Sequence, residues 1–225
     1  MTVSFPVPAQ EEAAAYLAFA AGSTDDRLLL GGHSKGGNLA VYAAANCDSK
    51  VQERILSVWS NDGPGFSREV LNSPGYLAIR DRVHPLMPRS SVVGILFDWD
   101  PEPELLESNA AGALQHEGLT WQVLGSSFVR APEQSRGSRN LDRSLHVLLQ
   151  EMDLPCRRQL IDDVFSVGQE LGVETLAELV AEGRRAQSFK AISSKFTGID
   201  RETRDCFLRA IKGIFREENT PPEDI

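Results

Sequence analysis

The amino-acid sequence predicts an α/β fold, in which a mostly parallel sheet is flanked by helices and followed by a C-terminal helical appendage. An apolar run at residues 28–32, bounded by charge and glycine, is typical of a buried strand. A glycine-rich turn and an alanine-rich segment at residues 38–47 follow directly, which is half of a parallel βαβ unit. Beyond residue 140 the apolar residues recur at helical spacing.

Short apolar runs and turn-forming residues predict the rest of the core. The alanine-rich residues 10–21, with glutamate in the first turn, predict a helix, and residues 67–71 predict a shorter one. Each later strand is predicted from a short apolar or alternating run. These predicted strands are residues 55–60, 76–83, 91–97, 105–112 and, as a last edge strand, 120–125.

The composition changes at residues 132–140, whose polar and turn-rich character predicts a linker. We therefore expect residues 1–131 to form the α/β core and residues 141–217 to form the helical region. Residues 218–225 are expected to be a disordered tail.

Composition and charge restrict the partners and the compartment. A formal net charge of −9 without a basic stripe argues against nucleic acid and anionic membranes. The sequence contains neither a signal peptide nor an apolar run long enough to cross a bilayer, so we expect a cytoplasmic protein. Its three cysteines, Cys47, Cys156 and Cys206, are far apart and lack metal-ligand spacing. We expect free thiols, and neither a metal nor a cofactor.

Residues 32–36 read Gly-His-Ser-Lys-Gly and match the pattern G-x-S-x-G. The pattern is short, but a predicted strand precedes it and a predicted helix follows it. That context indicates a nucleophile elbow, the strand-to-helix turn that carries the reactive serine of an α/β-hydrolase. Ser34 would then have a strained backbone conformation that lifts its hydroxyl off the sheet. The sequence thus predicts a partial α/β-hydrolase fold with Ser34 as the nucleophile.

The neighbours of Ser34 have expected roles in this turn. Gly32 and Gly36 are expected to leave room for crowded backbone, and Gly37 to let the helix start close to the sheet. The backbone N–H of Lys35, the residue after the nucleophile, is expected to donate to a substrate oxyanion.

A serine nucleophile needs a base, and the base needs an orienting acid. His33 lies inside the elbow and is expected to face away from the site. His84 is expected between strands, and His146 lies in the helical region. His116 follows the last convincing strand in a predicted loop, where this fold places its histidine, so it is the favoured base.

Three aspartates are candidates for the acid. Asp62 lies in a turn-forming segment directly after the strand that follows the elbow, where some α/β-hydrolases place their acid. Asp98 follows a later predicted strand, which is the commoner position, and Asp81 is a third option. The residues alone leave this choice open.

Four segments in order resemble the Mbeg-like proteins, a bacterial family of lipase-like hydrolases: GGHSKGGNLAVYAA, WSNDGPGF, PRSSVVGIL and QHEGLTWQV. The elbow and the segment with His and then Trp are also similar to class 3 lipases. The Mbeg-like pattern of QH followed by W is matched by Gln115, His116 and Trp121, and its acidic position by Asp62. The resemblance implies a serine esterase or lipase that forms an acyl-enzyme with Ser34, His116 and Asp62.

The resemblance also implies a missing segment. In Mbeg-like proteins a segment upstream of the VPAQ-type sequence supplies the second oxyanion donor, and here VPAQ begins at Val7. We therefore expect the N-terminal half of the sheet to be lacking. An exposed edge strand would then invite a second copy to pair with it as a homodimer.

The expected substrate is a small acyl ester or a lipid-like molecule. Four apolar residues near the predicted site suggest an apolar acyl group; they are Phe66, Leu86, Met87 and Trp121. Two alternatives to an esterase stay open. The chain could be a catalytically weak or inactive binding module with a hydrolase fold, or a fragment that needs its missing N-terminal half.

Overall fold

A computed structural model describes residues 7–151 and, from the later part of the chain, residues 190, 205 and 208. It contains a four-stranded parallel sheet flanked by helices, which confirms the predicted α/β class. In spatial order the strands are β1 (Leu28–His33), β2 (Ile55–Asn61), β3 (Val83–Pro88) and β4 (Glu104–Leu106). The predicted helices beyond residue 151 and the predicted tail lie outside the described residues.

The helices of the described region follow the chain in order. They are α1 (Pro8–Gly22), α2 (Lys35–Asn46), α3 (Ser49–Gln52), α4 (Arg68–Leu71), α5 (Pro74–Ile79) and α6 (Arg136–Glu151). Helix α2 packs against β1 and β2, while α1 and α5 pack against α2. No helix among the described residues is long and apolar enough to span a membrane.

Small and β-branched side chains bring α2 close to the sheet. Val41 and Ala44 of α2 are fully buried, as is Val58 of β2. On the outer side of α2, the buried Gln10 of α1 donates from Nε2 to Asn38 Oδ1 at 2.8 Å. The Asn38 amide in turn donates to the carbonyl oxygens of Pro64 and Gly65, both at 3.0 Å. These bonds join α1 and α2 to the loop that follows β2.

The prediction of a strand at residues 76–83 was wrong, because this segment is α5 followed by the 3₁₀ turn Arg80–Arg82. Ser73 caps the helix by accepting a hydrogen bond from Tyr76 N, and Pro74 occupies a first-turn position. Both residues are helix-start signals. Tyr76 and Ile79, both 0% exposed, are three residues apart and therefore share one helical face. The strand begins only at Val83.

The prediction of a strand at residues 91–97 was also wrong. The segment is an irregular loop, in which Ser91 N donates to Pro88 O and Leu96 N to Val93 O, both at 3.0 Å. Its apolar run is explained by burial within a loop, since Ile95 is 5% exposed.

The later predicted strands are shorter than expected. From residues 105–112 only the beginning belongs to a strand, β4, after which the chain leaves the main sheet. Within residues 120–125, β5 (Val123–Leu124) pairs antiparallel with β6 (Ser127–Phe128) in a separate hairpin. The predicted edge strand therefore lies outside the main sheet.

Helix α6 begins inside the segment that was predicted as a linker. The helix begins at Arg136, so residues 136–140 are helical. Ser138 is fully buried, and its hydroxyl donates to Ser91 O at 2.8 Å. The second half of the predicted linker is therefore packed against the core loop at residues 91–97.

Candidate active site

Ser34 lies on the sharp turn between β1 and α2. Its backbone has φ 56° and ψ −129°, a region that residues other than glycine rarely occupy. The turn is held to the neighbouring strand because Ser34 N donates to Asn61 O at 2.9 Å. The conformation expected for a nucleophile elbow is present, and the serine side chain is half-buried.

Two of the three glycines have the expected steric reason. A Cβ at Gly32 would overlap the backbone of Gly36. A Cβ at Gly37 would overlap the Ser60 hydroxyl and lie 3.0 Å from the Ser60 Cα, so Gly37 permits the close approach of α2 to β2. At Gly36 a Cβ would meet nothing within 4 Å, so the expectation that crowding requires this glycine was wrong.

Lys35 is the first residue of α2. The first four N–H groups of an α-helix have no acceptor within the helix, and they lie at the positive end of its dipole. The backbone N–H of Lys35 is therefore at a place suited to an anionic oxygen next to Ser34. Its side chain is exposed.

Asp62 follows the carboxyl end of β2 and is 1% exposed. Its φ is 48°, and its backbone N–H donates to Leu86 O at 2.7 Å. Oδ1 accepts from the Ser91 hydroxyl at 2.5 Å and from Gly94 N at 3.1 Å. Oδ2 lies 2.7 Å from His116 Nδ1. The loop at residues 91–97, which was predicted as a strand, thus donates two hydrogen bonds to this carboxylate.

The other candidate acids have different partners. Asp98 pairs with Arg68 at 3.3 Å, and the guanidinium of Arg68 is largely exposed. Asp81 is 92% exposed at its side chain and pairs with Arg80 at 3.5 Å. Of the three aspartates, Asp62 is the one whose carboxylate the structure records on His116.

His116 ends the 3₁₀ turn Gly112–His116, and its neighbours anchor that turn. The buried Gln115 side chain accepts from Ser90 N and donates to Ala110 O, both at 3.0 Å. The indole N–H of Trp121 donates to Gln115 O at 2.8 Å. The pattern of QH followed by W therefore has a structural reason, since its Gln and Trp fix the backbone that carries the histidine.

The hydrogen bond to Asp62 determines which ring nitrogen of His116 carries the proton. A carboxylate oxygen can only accept, so Nδ1 donates and Nε2 of a neutral ring is left with its lone pair. Among the described residues, no hydrogen bond is recorded between the Ser34 hydroxyl and His116. Such bonds are often long in unliganded enzymes and shorten with substrate.

The remaining histidines correct two expectations. His33 Nε2 lies 2.6 Å from the backbone oxygen of His116, and the two ring centroids are 4.5 Å apart. The expectation that His33 faces away from the site was therefore wrong. The expectation that His84 lies between strands was also wrong, because His84 is part of β3 and its ring stacks on Trp59 with centroids 4.4 Å apart. The side chain of His146 lies outside the described residues.

The residues expected to contact an acyl group are core residues instead. Phe66 is 0% exposed, Leu86 3%, Met87 4% and Trp121 5%. Leu86 and Trp121 belong to one apolar cluster, and Phe66 to the main core. Among the described residues, no group of three or more His, Cys, Asp or Glu side chains could hold a metal ion.

The fold and the site together define an α/β protein in which a serine on a strained strand-to-helix turn, a buried aspartate and a histidine lie at the carboxyl edge of a parallel sheet. A model of the Mbeg1-like family matches residues 1–166 of the chain. The chain belongs to the Mbeg1-like family, which is a lipase-like hydrolase-fold family. No curated protein and no solved structure matches the chain at a significant level.

Proposed function

We propose that this protein is a serine hydrolase of the carboxylesterase or lipase type, built on a partial α/β-hydrolase fold. The observation that carries the proposal is the hydrogen bond between the buried Asp62 carboxylate and His116 Nδ1, beside the strained turn of Ser34. A fully buried carboxylate is costly unless it is paired. A buried carboxylate that accepts from the Nδ1–H of a histidine is the arrangement that orients the base of a serine hydrolase.

In the proposed reaction, His116 Nε2 accepts the proton of the Ser34 hydroxyl while Oγ attacks the ester carbonyl carbon. The resulting tetrahedral oxyanion collapses, the bond to the alkoxy group breaks, and His116 returns its proton to the departing alcohol. Water then attacks the acyl-enzyme by the same route, releasing the acid and restoring Ser34. Asp62 keeps the imidazole in the required tautomer and stabilises the imidazolium.

We assign the oxyanion contact to the backbone N–H of Lys35, at the N-terminus of α2. A donor at this position acts on charge that exists only in the transition state. One such donor is worth about a hundredfold to a thousandfold in rate. The positive end of the twelve-residue helix α2 adds to the same stabilisation.

The proposed substrate is a small acyl ester or a lipid-like molecule. The net charge of −9 disfavours strongly anionic substrates by long-range repulsion. Leu119, three residues after His116, is 95% exposed, so the segment that follows the proposed base presents apolar surface to solvent. An uncharged ester with an apolar acyl chain is compatible with both observations.

The proposal is tested by hydrolysis of p-nitrophenyl esters of increasing acyl length. The wild-type protein should give saturable turnover, and Ser34→Ala should abolish it. Ser49→Ala, at an exposed serine in α3, is the matched control and should retain wild-type kcat/KM. Well-folded wild-type protein that binds an ester without turning it over would contradict the proposal and favour a hydrolase-fold binding module.

A further inference from the structure

We propose that His33, the residue directly before the nucleophile, is a positioning residue that holds His116 in register with Ser34. The inference rests on the proposed function, because it assigns His33 a part in the same reaction. The proposed reaction itself uses only Ser34, His116, Asp62 and the N–H of Lys35. His33 would act through His116 and not on the substrate.

The contact between His33 and His116 has a defined direction. A backbone carbonyl oxygen only accepts hydrogen bonds, so His33 Nε2 must donate its N–H to His116 O across the recorded 2.6 Å. Nε2 carries a proton both in the neutral Nε2–H tautomer and in the charged imidazolium, so His33 can donate this hydrogen bond in either form. The two rings are also in contact, with centroids 4.5 Å apart and an interplanar angle of 39°.

This bond joins the two halves of the proposed machinery. His33 ends β1, and Ser34 follows it on the strained turn whose N–H is fixed to Asn61 O. His116 lies 83 residues later than His33, in a loop beyond β4. A link that begins one residue from the nucleophile and ends on the backbone of the base directly restricts the distance between them.

The other anchors of His116 reach the nucleophile less directly, since Asp62 is connected to Ser34 only through its neighbour Asn61, whose O accepts from Ser34 N at 2.9 Å. Asp62 holds the ring through Nδ1, and Gln115 ties the 3₁₀ turn to Ser90 and Ala110. These contacts fix the ring against β2 and the neighbouring loops. Since a base displaced by about 1 Å can cost on the order of a hundredfold in rate, a second link, from the residue before Ser34 to the backbone of His116, would restrict their separation further.

Two substitutions separate the hydrogen bond from the ring contact. His33→Phe keeps an aromatic ring but lacks the N–H donor, whereas His33→Gln places an amide N–H near the position of Nε2 without a ring. Each variant is assayed for kcat and KM with the p-nitrophenyl esters. Hydrogen–deuterium exchange of peptides covering residues 112–121 reports how firmly the His116 loop is held.

We expect His33→Phe to lower kcat about tenfold, the equivalent of one lost hydrogen bond, with KM within about twofold of wild type. In His33→Gln the loss should be at most about half as large on a logarithmic scale, which means a kcat no more than about threefold below wild type. Exchange in the His116 loop should accelerate in the Phe variant more than in the Gln variant. A Phe variant with wild-type kcat, or equal losses in both variants, would overturn the proposal.

The exchange measurement separates this inference from the proposed function. If the wild-type protein turns over no ester, the proposed function fails, and exchange alone decides the role of His33. Faster exchange in His33→Phe than in His33→Gln would still support the positioning contact. Equal exchange in wild type and both variants would overturn it.

Discussion

His116 Nδ1 lies 2.7 Å from Asp62 Oδ2, and in this pair the carboxylate is fully buried whereas the imidazole side chain is 14% exposed. The Asp62 carboxylate is therefore surrounded by protein, whereas the His116 imidazole can still be reached from solvent. An orienting acid and a base that meets substrate require this asymmetry.

Replacing the buried acid should damage catalysis more than folding. We predict that Asp62→Asn lowers kcat by about a thousandfold to ten-thousandfold, because the amide stabilises the wrong tautomer of His116 and cannot stabilise its imidazolium. Ester hydrolysis measures this loss. Asp98→Asn is the matched control, since Asp98 forms an ion pair with the exposed Arg68 and should remain within about twofold of wild type. Equal losses in the two variants would mean that the acid is misassigned.

The hydroxyl of Ser91 should matter because it donates to Asp62 Oδ1 at 2.5 Å. We predict that Ser91→Ala lowers kcat about tenfold, since a hydrogen bond to a charged group contributes about 1.5–3 kcal/mol and part of it is retained through Gly94 N. Steady-state kinetics on the same esters measures the change. Ser90→Ala is the control, because the recorded contact of Ser90 with Gln115 uses the backbone N–H. Wild-type kcat in Ser91→Ala would contradict the prediction.

The two motif glycines should respond oppositely to alanine. Gly32→Ala should destabilise the protein by about 3 kcal/mol or more, because its Cβ would overlap backbone atoms that cannot move aside. Gly36→Ala has open space on α2 and should change stability by less than about 1 kcal/mol, in the stabilising direction. Urea unfolding measures both. A Gly32→Ala protein as stable as Gly36→Ala would refute the close approach at the elbow.

Alkaline pH should reduce stability through Tyr76. Burial and then the nearby Asp100 raise the pKa of Tyr76 above its ordinary value of about 10. The folded protein then keeps the phenol proton while the unfolded chain releases it, so the contribution is present below about pH 10 and lost as the pH rises further. We predict that Tyr76→Phe is less stable than wild type at about pH 8, because it lacks the hydroxyl that donates to Asp100 O. Between about pH 8 and pH 11 its free energy of unfolding should fall by about 1 kcal/mol less than that of wild type. Urea unfolding at the two pH values tests this, and parallel losses would contradict it.

The parts of the fold that the sequence predicted correctly are those whose structure is determined by residues close together in the chain. The strand, turn and helix around Ser34 could be identified because glycine spacing, an apolar run and alanine-rich composition agree within about twenty residues. Residues 76–83 were misassigned because apolar content alone does not separate a short helix from a buried strand. The signals that would have decided it were Ser73 and Pro74 at the start of α5.

The predicted site residues came from chain order, elbow spacing and family resemblance, and the structure brings Asp62 and His116 together. The contact from His33 could not be predicted, because it joins residues 83 positions apart and leaves no local pattern. The apolar residues expected at the site were misassigned because closeness in sequence to site residues does not reveal whether a side chain faces the core.

The most direct test of the central claim is covalent labelling by a fluorophosphonate, read by intact mass and peptide mapping. The account predicts one adduct per chain, located on Ser34, absent in Ser34→Ala and formed much more slowly in Asp62→Asn. Well-folded wild-type protein that gains no adduct, or gains it on another residue, would contradict the claim that Ser34 is an activated nucleophile.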